Sequence, residues 1–78
     1  MIQYNNQYAL KIYEMISPIV GEILAHGALT SQCNKIDIAP EQIDRGHLKA
    51  ISSGFQQALG IFVGTEGAKI ISQQIENL

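Results

Sequence analysis

From Leu48 to Phe62 the apolar residues Leu48, Ile51, Phe55, Ala58 and Phe62 follow one another at intervals of 3, 4, 3 and 4. Only an α-helix brings that spacing to one face, because strand side chains alternate with a period of two. A sustained 3,4 alternation is also the seam of coiled-coil-like packing. The helix that carries it has both ends marked. Asp44 is an N-cap residue, with Ile43 before it and Leu48 after it placed as a hydrophobic staple. Gly64 is a left-handed stop. The spacing therefore predicts a helix over 45–63, preceded by a short turn near 40–43 beginning at Ala39-Pro40.

The same reasoning predicts three further helices. Tyr8, Ile12 and Met15 give one over 5–16, which Ser17-Pro18 punctuates, because proline disfavours helical geometry in the residue before it. Pro18 at a first helical position then starts a second helix over 18–32, with Asn34 as a left-handed cap. Thr65 caps a fourth over 66–77, where Ala68, Ile71, Ile75 and Leu78 repeat the 3, 4, 3 spacing. Ile36 and Ile38 turn inward from the linker. The reading is an all-α, compact four-helix domain spanning 1–78. Its core or interface residues are Leu48, Ile51, Gly54, Phe55, Leu59, Phe62, Ile71 and Ile75. Gly54, inside a helix where glycine costs about 1 kcal/mol relative to alanine, marks a close crossing with small residues of the second helix or with a symmetry partner. A weak echo links Ile16–Glu22 to Leu59–Thr65, each a hydrophobic run ending in a glycine.

Charge decides how such a domain meets its surroundings. Only 15% of the 78 residues are charged, where about a quarter is usual. A domain of this length rarely derives more than about 3–5 kcal/mol from its own core. Cys33 is the one cysteine, so no internal disulfide adds to that. Pairing of chains is the remaining source, and a homodimer is expected, with another protein as a further possible partner. The lone cysteine, and an uncharged Met1–Gln7 start without a leader's positive residues, suggest a cytoplasmic setting. No run is long enough to span a bilayer. With a net charge of −2 there is no basic face that nucleic acid would require.

The groups that could carry chemistry are few. Glu22 and His26 share a helix face, with Cys33 two turns on, and could form a metal site; structural zinc would want four ligands in paired spacing. Arg45, His47 and Lys49 crowd a helix start that could hold phosphate, though Asp44 occupies its cap. A DNA-reading helix would offer Arg45, Lys49, Ser52, Ser53 and Gln56, after a connection too long for a helix-turn-helix. Tyr4, Tyr8 and Tyr13 could form an interface arm. No nucleophile–base pair stands out, so no catalytic residue, cofactor or metal is assigned. The expected function is non-enzymatic: an interaction or regulatory module that self-associates through apolar helical faces. A small DNA-binding regulator and a small metal-binding protein are the alternatives.

Overall fold

The computed structural model describes residues 4–78; Met1–Gln3, part of the uncharged Met1–Gln7 start noted above, lie outside them. Among the described residues the chain is all-helical and compact, with three α-helices rather than the four expected. They are α1 (Gln7–Val20), α2 (Glu22–Lys35) and α3 (Leu48–Glu76). Two 3-10 turns, Pro40–Gln42 and Arg45–His47, lie in the connection between α2 and α3.

The first correction concerns Pro18. It sits inside α1, and the break expected at Ser17 falls at Gly21. Proline in the last turn of a helix forfeits one backbone hydrogen bond but does not have to end it. Gly21 adopts φ 91°, ψ 160°, a region open essentially to glycine alone. Its amide still donates to the Ser17 carbonyl at 2.8 Å. The predicted cap at Asn34 also moves: α2 runs on to Lys35, and the left-handed residue is Asp37, at φ 59°.

The second correction concerns α3, which joins the two predicted helices 45–63 and 66–77 into one element. Gly64 interrupts it with φ 76°, ψ 169°. A straight helix of 29 residues would be about 44 Å long. The whole molecule measures 29 Å along its longest axis. The helix is therefore bent at Gly64, and its second arm folds back. The front is also trimmed, because Arg45–His47 form a 3-10 turn that Asp44 caps by accepting from the Gly46 amide at 2.8 Å.

These two glycines reveal the plan of the molecule. They lie 43 positions apart and share nearly the same unusual backbone geometry. Shifted by the same offset, buried positions coincide: Ala9 with Ser52, Ile12 with Phe55, Ile16 with Leu59, Ala25 with Ala68, Leu29 with Ser72, and Gln32 with Ile75. The faint echo at Ile16–Glu22 and Leu59–Thr65 is the centre of this pattern. The chain builds one helix–glycine–helix unit twice and packs the inner faces of both into one core.

Asn6 ties the first unit to the linker. Its side-chain oxygen accepts from the amides of Tyr8 and Ala9 at 2.9 and 3.0 Å, capping α1. Its NH2 group donates to the carbonyls of Glu41 and Ile43 at 3.0 and 2.8 Å. Ile43 is buried, and Ile36 and Ile38 are half-buried against the core. The total accessible surface is 4760 Å², close to the roughly 4,700 Å² expected of a folded chain of this mass. One copy therefore closes to ordinary compactness on its own. Among the described residues no helix is long and apolar enough to cross a membrane.

Candidate functional site

Helices α1, α2 and α3 differ in how they distribute apolar residues. In α1 these segregate to the inner face, with Ala9, Ile12, Tyr13 and Ile16 buried. In α2 and α3 they do not: the buried face of α2 includes Gln32, while Ile23 and Leu24 point outward at 84% and 57% exposure. On α3, Ile61 is 90% and Phe62 56% exposed. A helix that is apolar on both sides is ordinarily covered on both sides.

Two of these four residues, Leu24 of α2 and Phe62 of α3, line one groove together with Val20, Gly27, Ala28, Ala58 and Leu59, around about 260 Å³ of open space. No Asp, Glu, Lys or Arg occurs from Ala50 to Thr65 or from Ile23 to Asn34.

The residues singled out in the sequence divide here. Leu48, Ile51, Phe55, Leu59 and Ile75 are buried, and Ile71 is half-buried against the core. Phe62 stands apart on the groove wall. A strict 3,4 stripe drifts around a straight helix by about 20° per heptad. Two heptads separate Leu48 from Phe62. By Phe62 the stripe has rotated to the edge of the core, and Leu59 takes the inner position. Gly54 meets α2, but its neighbour is the Gln32 carboxamide rather than a small residue. A methyl there would lie 2.6 Å from the Gln32 Cδ. The sequence reading named Phe62 and Leu59 as core or interface residues but not the α2 side of the groove; the signal there was Leu24 in a run, Ile23 to Asn34, that holds no Asp, Glu, Lys or Arg.

The candidate metal ligands do not converge. His26 is exposed and its Nδ1 shares a hydrogen bond of 2.5 Å with the Tyr4 hydroxyl. Cys33 is fully buried, and burial, followed by the Glu41 carboxylate, pushes its thiol up to about 11. Among the described residues no three His, Cys, Asp or Glu side chains gather closely enough to hold an ion. The Arg45, His47 and Lys49 cluster belongs to a 3-10 turn whose Gly46 amide is already taken by Asp44, and His47 Nδ1 accepts from the Asp44 amide at 3.1 Å. Ser52 is buried and donates to the Lys49 carbonyl, so it is lost from the DNA-reading set.

The tyrosines pack against the chain's own core. Tyr13 is buried, while Tyr4 and Tyr8 are half-buried against the core. The Tyr4 and Tyr13 rings lie 5.5 Å apart. Burial raises the hydroxyl pKa of Tyr4, helped by Tyr13. Burial raises that of Tyr13 as well, helped by the Glu22 carboxylate. No family model, no curated protein and no solved structure matches the chain.

Proposed function

We propose that this protein is a non-enzymatic interaction module, serving as a scaffold or regulator, that self-associates through its exposed apolar helical faces. The observation that carries the reading is the apolar surface that α2 and α3 leave open: Leu24 and Phe62 line a groove between them, and Ile23 and Ile61 on the same two helices are also more than half exposed. A soluble monomer rarely leaves a large contiguous apolar patch uncovered. The buried, poorly acidic thiol of Cys33 fits a packing role, and a single unpaired cysteine suits the reducing cytoplasm.

Sedimentation equilibrium across a hundredfold range of concentration tests the reading. A mass that rises from one chain toward two supports it. A single-chain mass throughout, up to about a millimolar, a concentration at which even weak complexes form, overturns it.

A further inference from the structure

We draw no further inference here: the strongest candidate, the apolar groove between α2 and α3 that Leu24 and Phe62 line, is part of the surface already described, and nothing in the structure shows what covers it.

Discussion

Three side chains hold places their residue types alone would not announce. Asn6 caps α1 and holds the linker at once. Asn6→Ala should cost about 2 kcal/mol, combining a lost cap with two lost side-chain hydrogen bonds. Asn6→Asp should recover the cap and not the linker bonds, so urea melts of the two variants separate the roles. Its cap was legible, since asparagine is a preferred N-cap; its bonds to Glu41 and Ile43, some 35 positions away, were not, because nothing local encodes them. At Gly54, helix propensity favours alanine by about 1 kcal/mol, but the methyl would overlap the buried Gln32 carboxamide. Gly54→Ala should therefore destabilise, and in a Gln32→Ala background it should instead stabilise by somewhat under about 1 kcal/mol. A double-mutant cycle reads that sign change. Cys33 gives a pH signature. Its folded pKa lies above the unfolded value, so its contribution is complete below about 9 and is lost as the pH rises toward about 11. Tyr4 and Tyr13, raised in the same direction, add to the loss above pH 10. Thermal melts should fall over that range, and Cys33→Ala should flatten the first part of the fall.

At the scale of elements, the helices were legible and their joints less so. Periodicity located the apolar stripes because burial of one face organises α1 and places Leu48, Ile51, Phe55 and Leu59 of α3 inside, even though Ile61 and Phe62 on that arm stay exposed. Proline misled because two rules compete at Ser17-Pro18-Ile19-Val20-Gly21. Proline weakens one turn, but only glycine reaches the φ of 91° that the bend requires, so the break falls where the geometry is available. At Gly64 the stop was placed correctly as a departure from helical backbone, yet the element resumes at once and counts as part of α3. Equivalent bends should respond alike. Gly21→Ala and Gly64→Ala each force an alanine into a region that costs of order 1–3 kcal/mol. Gly27→Ala has helical backbone and open space, and should stabilise a single copy by up to about 1 kcal/mol. Chemical denaturation of the three variants should split them two against one; equal effects would mean that the bends are not strained.

For the whole molecule, the sequence argument joined two ideas that the structure separates. Low charge and a small core suggested that one copy cannot enclose itself, yet the accessible surface is that of an ordinary folded chain. Of the large apolar side chains left exposed, Leu24 and Phe62 line one groove, while Leu10, Ile19, Ile23, Ile61 and Ile70 lie outside its lining. Phe62 was expected in the core or at an interface, and in the fold it is exposed on that groove. If copies pair, pairing is then an addition to a folded monomer rather than a condition for folding, and this has a measurable consequence. If two folded copies associate, the melting temperature rises with protein concentration by mass action, while helicity at low concentration stays at its full value. Circular dichroism at a few micromolar and at a few hundred micromolar should show the same helix signal and a higher transition in the concentrated sample. Loss of helix on dilution would instead mean that the fold requires its partner, and that the closed single copy is not stable by itself.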